Sequence, residues 1–160
     1  MTAAVQFDTF TMEREFGASP ARVYAAFADP RRKRQWFAES DNHTVEAFAM
    51  QFEVGGRESA SYRFNAGSPF AGVLLESDGV YLDLVPDQRI VSAATMAIGG
   101  RRISASVHTF EFSPAPGGGT RLRFTHQAAF FEGADGPDMR RAGWQQLLDQ
   151  LQAAVAKDAA

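Results

Sequence analysis

The chain reads as one α+β domain, an antiparallel sheet of six to seven strands under a long C-terminal helix, with two short helices after the first strand. Three observations predict this. Apolar residues alternate with period two over most of the stretch from His43 to Ala129, and glycine-rich or proline-rich turns interrupt the alternation. Trp144, Leu147, Leu148, Leu151 and Val155 then repeat at helical spacing, so they form one apolar stripe. Finally, Ser19-Pro20 and Asp29-Pro30 each pair a side-chain oxygen that can cap a helix with a proline suited to its first position.

The elements follow in order. Phe10, Met12 and Arg14 alternate with Thr11, Glu13 and Glu15, which predicts a first strand over Phe10–Phe16. Val23, Ala26 and Phe27 share a face of the first short helix, and the second ends near Trp36-Phe37. Strands are expected over Thr44–Phe52, from Glu58 to Phe64, and over Gly79–Val85, Arg89–Ile98, Arg102–Ser113 and Thr120–Ala129. Gly55-Gly56 marks a turn and Gly99-Gly100 a two-residue hairpin. Past the Gly133–Pro137 loop, the apolar stripe requires a helix of about 19 residues, roughly 28 Å long. So wide a stripe must be buried, and the sheet is the only large partner.

The chain has 160 residues, 45% of them apolar, and a formal net charge of -3. That length predicts a single domain over 1–160 whose core needs no disulfide or metal staple. The absence of cysteine excludes thiol nucleophiles and thiolate metal sites. A slight acidic excess argues against nucleic acid as partner. The longest apolar run, Val23–Ala28, is far shorter than the roughly 20 residues of a membrane span. No signal or transit pattern opens the chain, so a cytoplasmic location is expected. The basic run from Arg31 to Arg34 is read as a solvated helix face.

Several stretches carry a family resemblance. They are Ser19-Pro20 with Val23-Tyr24 and Phe27, Asp29-Pro30 leading to Trp36, and Gly55-Gly56-Arg57. Gly79, Tyr81, Val85-Pro86-Asp87-Gln88-Arg89-Ile90-Val91 and Gly118-Gly119-Thr120-Arg121-Leu122 follow, and then Thr125-His126 and Gly143-Trp144 with Leu148 and Leu151. In this order the chain resembles bacterial homologues of the heat-shock-protein ATPase activator, within the START-like (SRPBCC) superfamily of polyketide cyclases and birch-pollen-type allergens. The resemblance implies a helix-grip fold: a curved antiparallel sheet wrapped on the C-terminal helix, with a cavity between them that takes small apolar guests. A chaperone interaction is not expected, because the eukaryotic activator resembles a two-domain protein whose other domain supplies much of that contact.

The chemistry-bearing residues are few. No P-loop, nucleophile elbow or His-Glu-x-x-His motif occurs. Symmetric pairing about the Pro114–Gly119 loop sets Phe112 against Leu122, Phe110 against Phe124 and His108 against His126, all on one face. The two histidines are thus expected to form a polar spot in an aromatic cavity, orienting a ligand or exchanging a proton with it. The plainer alternative is two ordinary sheet histidines. With 14 phenylalanines in the chain, the expected cavity wall is Trp36, Tyr62, Phe64, His108, Phe110, Phe124, His126, Trp144 and Leu148. No metal or cofactor is expected, since nothing fixes a third ligand such as Glu132 beside the histidine pair. The function expected is binding of a small apolar or aromatic, lipid-like molecule. The alternatives are an enzyme of cyclase or hydrolase type using the cavity histidines, or an interaction protein, either a homodimer or a modulator of a chaperone.

Overall fold

The computed structural model describes residues 4–158. Seven antiparallel strands form one sheet: β1 (Gln6–Phe16), β2 (His43–Met50), β3 (Arg57–Phe64), β4 (Leu74–Val85), β5 (Arg89–Ile98), β6 (Arg101–Pro114) and β7 (Thr120–Phe130). Their order across the sheet is β1-β7-β6-β5-β4-β3-β2, so every pairing except β1 with β7 joins neighbours in sequence. The helices are α1 (Pro20–Ala28), α2 (Pro30–Lys33) and α3 (Pro137–Asp158). The architecture is the α+β helix-grip arrangement.

Both proline-led starts are capped as their chemistry requires. The Arg22 amide donates to Ser19 Oγ at 3.4 Å, and the Arg31 and Arg32 amides donate to Asp29 Oδ1 at 2.9 and 3.3 Å. After α2 the chain widens into a π-helical turn over Arg34–Ala38, closed by the Glu39 amide donating to the Arg34 carbonyl at 3.0 Å. At the Gly99-Gly100 hairpin both residues have positive φ, 58° and 82°, the backbone of a tight turn that matches the strand twist.

Helix α3 runs over the concave face of the sheet. Trp144, Leu148, Leu151 and Val155 are buried along it, and Leu147 packs at the edge of the core. The hairpin register sets His108 opposite His126, Phe110 opposite Phe124 and Phe112 opposite Leu122.

Several features differ from the sequence expectation, among them the start of β1 at Gln6, four residues before Phe10, and the end of α2 at Lys33. Strand β4 starts at Leu74, five residues before Gly79. Its early inward positions are Leu75, Ser77 and Gly79, and the two small residues interrupt the apolar alternation that announces a strand. Lys33, expected on a solvated face, is buried: its Nζ lies 2.8 Å from Glu58 Oε1 and 4.7 Å from the centre of the Phe37 ring. The burial is tolerated because the charge is paired and rests on aromatic faces.

Candidate functional site

The inward-facing rows of the sheet explain where space remains. One row, across β4, β5, β6 and β7, reads Gly79, Ala94, Ser106, Ala128. The row beside it, from β3, reads Ala60, Ser77, Met96, Ser104. These side chains are small, Met96 excepted, and only Ser104 among them meets a side chain of α3, accepting a hydrogen bond from Arg140. Gly79 is also sterically required, since a Cβ there would stand 2.9 Å from the Ala93 carbonyl oxygen. Three rows along, Ile90, Phe110, Phe124 and Met12 fill the equivalent gap.

Above the small-residue rows lies a cavity of about 440 Å³. Phe37, Phe64, Met96, Ile103, Trp144 and Leu147 supply much of its apolar wall. Its polar wall includes Tyr62, Ser106, His108, Asp135 and Arg140. The π-helical turn helps shape it by turning Trp36 into the core while its neighbour Phe37 reaches the wall. The Gln150 side-chain amide donates to the Trp36 carbonyl at 2.8 Å and ties that turn to α3.

Of the nine residues singled out from the sequence, Tyr62, Phe64, His108 and Trp144 lie on this wall. The other five are not on it. Trp36 is 1% exposed and its indole N–H donates to the Ala26 carbonyl at 2.9 Å. Phe110, Phe124 and Leu148 belong to the packed core, with Phe110 and Phe124 stacked at 4.6 Å between ring centres. His126 is fully buried, its ring sandwiched between Phe10 at 4.7 Å and His108 at 5.0 Å. Each of the five is enclosed by packed side chains: Trp36, Phe110, Phe124 and Leu148 lie in the core where α1, the π turn and α3 meet the sheet, and His126 is covered by Phe10, His108 and Trp144.

The two histidines therefore differ in kind. His108 shares a hydrogen bond of 2.9 Å with Ser106 Oγ and borders the cavity. Both ring nitrogens of His126 are sealed from solvent without a partner. Burial pushes the His126 pKa down to about 4, with the Arg140 charge adding to the effect. His108 is held well below the usual imidazole range by burial, and the neighbouring His126, Lys33 and Arg140 act in the same direction. Both rings are neutral at pH 7.

Sequence reasoning missed Arg140 and Asp135. The Arg140 guanidinium donates from Nε and Nη2 to the two Asp135 carboxylate oxygens at 2.7 and 2.8 Å, and from Nη2 to Ser104 Oγ at 2.8 Å. It lies over the Phe130 ring at 5.0 Å. Arg140 falls one helical turn before Trp144, at i−4 on the same stripe, and that position was the available signal. Arg57 and Arg63 of β3 pair at the surface, with Asp78 at 2.8 Å and Glu46 at 2.7 Å.

The family model of the Activator of Hsp90 ATPase homolog 1-like protein matches residues 17–156. The chain belongs to this family. Among solved structures it is similar to a protein from Rhizobium loti, with 40% identity, 95% of this chain and 99% of that one covered, and a TM-score of 0.84. A protein from Rhizobium leguminosarum superposes with a TM-score of 0.88 at 34% identity, covering 96% and 97% of the two chains. An AHSA1-like protein from Aeromonas hydrophila, at 21% identity and a TM-score of 0.69 over 95% and 94% of the chains, shares the fold. No curated protein matches the chain. The family assignment accounts for the helix-grip architecture, and among the described residues no helix is long and apolar enough to cross a membrane.

Proposed function

We propose that the protein binds a small, mainly apolar or aromatic molecule in the cavity between the sheet and α3. The observation that carries this reading is a space of about 440 Å³ beside an otherwise well-packed core. Pockets that hold small molecules have this order of size and this kind of wall. Binding would be driven by burying apolar area, at about 25 cal/mol per Å² removed from water. The site residues of the proposal are those on the wall, with Tyr62, Phe64, His108 and Trp144 among them. A catalytic reading that uses both histidines as acid and base is weaker, because His126 does not border the cavity. The binding reading requires no metal, cofactor, nucleic acid, membrane span or chaperone partner. Homodimerisation through a free sheet edge would use β1 or β2, the outer strands.

Thermal unfolding in the presence of naphthalene-sized apolar compounds tests the proposal. A ligand at 100 times its Kd should add about 2.7 kcal/mol of stability. Ala94→Leu, which extends a side chain into the cavity, should abolish that gain. Failure of every such compound to shift the native protein would overturn the reading.

A further inference from the structure

Two polar atoms on the cavity wall are left over once the internal hydrogen bonds are assigned. Arg140 uses Nε and Nη2 on Asp135 and Ser104, and its Nη1 makes no hydrogen bond to another described residue. The Tyr62 hydroxyl makes none either, although the residue is 9% exposed. Neither atom is among the sealed, partnerless ones of the described residues, which are Asp8 Oδ2 and the two ring nitrogens of His126. Both therefore keep some accessible surface, in buried side chains that line the cavity. The Tyr62 ring is held in place by stacking on His43 at 4.2 Å. Burial pushes its phenol up to about 12, and the Arg140 charge works against that push, so the two groups lie within electrostatic reach of each other. At pH 7 the phenol carries its proton and can donate.

The surplus at this end is thus one of donors, N–H from Arg140 and O–H from Tyr62, which calls for an oxygen acceptor. The charge balance decides which kind. The Arg140 charge is already matched by Asp135 in a bidentate pair. The histidines nearby are neutral, and Lys33, behind His108, is matched by Glu58. Glu39, which also borders the cavity, is paired with Arg34 at 3.1 Å. A carboxylate placed against Arg140 would be an unmatched negative charge taken out of water, and that is costly. A carbonyl oxygen would satisfy the same donors without that penalty.

Building on the binding reading above, we propose that the occupant is an apolar molecule bearing a neutral carbonyl, a ketone, ester or amide, whose oxygen accepts from the Tyr62 hydroxyl and Arg140 Nη1. The apolar body lies against Phe64, Met96, Ile103 and Leu147, and the carbonyl is directed toward the wall formed by β3 and the start of α3.

Three probes of nearly one shape test this by titration calorimetry at pH 7: 2-acetylnaphthalene, 2-ethylnaphthalene and 2-naphthoate. The ketone should bind about 5- to 100-fold more tightly than the hydrocarbon, the range expected of two net hydrogen bonds, and the carboxylate should bind most weakly. Tyr62→Phe keeps the ring but removes one of the two donors, and should cut the ketone's advantage over the hydrocarbon by about 2- to 10-fold, leaving the share held by Arg140 Nη1. A native far-UV circular dichroism spectrum and a cooperative thermal transition serve as that variant's folding control. Equal affinity of ketone and hydrocarbon, or tightest binding by the carboxylate, would overturn the carbonyl assignment while leaving the cavity reading intact. Failure of all three to bind would overturn both.

Discussion

The two ends of the space beneath α3 are built from the same strands and the same helix, yet one is solid and the other hollow. At the solid end the sheet contributes Phe110, Phe112 and Phe124, and the gap above is closed by Phe27 of α1, Trp36 of the π turn, and Leu148 and Leu151 of α3. Phe27 meets Trp36 at 5.0 Å and Phe110 at 4.8 Å between ring centres. At the hollow end the sheet contributes the small Ser77, Ala94 and Ser106, and α1 supplies nothing to the cavity wall. The lesson is that the cavity arises from side-chain volume on the floor. Hollowness follows the positions of the small serine and alanine side chains.

The largest expected contrast is between two phenylalanines. Phe124→Ala, in the solid end, should cost about 3–5 kcal/mol in urea unfolding, the loss of a large side chain plus the cavity it leaves. Phe64→Ala, on the cavity wall and half-buried, should cost about 1 kcal/mol, because part of its surface already faces open space. Equal costs would mean that the hollow end is packed like the solid one.

Acid should strike at the seam between the two ends. His126 is neutral in the fold with its pKa lowered to about 4, against an ordinary value of 6.5, so the unfolded chain binds the extra proton. Its contribution is complete above pH 6.5 and is lost as the pH falls toward about 4, amounting to about 3 kcal/mol by then. His108 shifts in the same direction and adds to the loss. Stability measured by urea titration from pH 7 to pH 4 should fall accordingly, and His126→Phe should remove most of that slope. The same variant should gain about 1 kcal/mol at pH 7, since it replaces a ring with two sealed, partnerless nitrogens by one that stacks equally well on Phe10. Ligand affinity should not change, because His126 does not border the cavity.

The smallest effects sharpen the contrast most. Ala26→Leu, at a position 3% exposed in the solid end, should destabilise by about 1–3 kcal/mol through overpacking. Ala94→Leu adds the same atoms on the cavity floor and should cost less than about 1 kcal/mol.

What the sequence made legible was the layering and the register. Alternation and turn chemistry placed seven strands and three helices, and symmetry about the Pro114–Gly119 loop aligned His108 with His126. The cavity wall was only partly legible, and for one physical reason: residue type announces which side chains face inward, while the wall depends on what stands opposite. Phe110 and Phe124 face inward just as Tyr62 and Phe64 do, but they meet Phe27 of α1 and Trp144 of α3 across the gap, and Leu148 of α3 closes on the same core. Small residues carried the missing signal. Ser77, Gly79, Ala94 and Ser106 weaken the apolar alternation that identifies strands, which concealed both the start of β4 and the floor of the cavity. Arg140 and Asp135 were hidden for another reason, since a charged pair near the start of an amphipathic helix reads as surface until its burial is seen.

The central claim is that the hollow end accepts a guest while the solid end does not, and methyl-resolved NMR tests it directly. With 2-acetylnaphthalene bound, intermolecular NOEs should run from the aromatic protons to the methyls of Met96, Ile103 and Leu147, with none to Met12, Leu122 or Leu151. NOEs to the second group instead of the first, or none to Met96 and Ile103 at saturating probe, would contradict it.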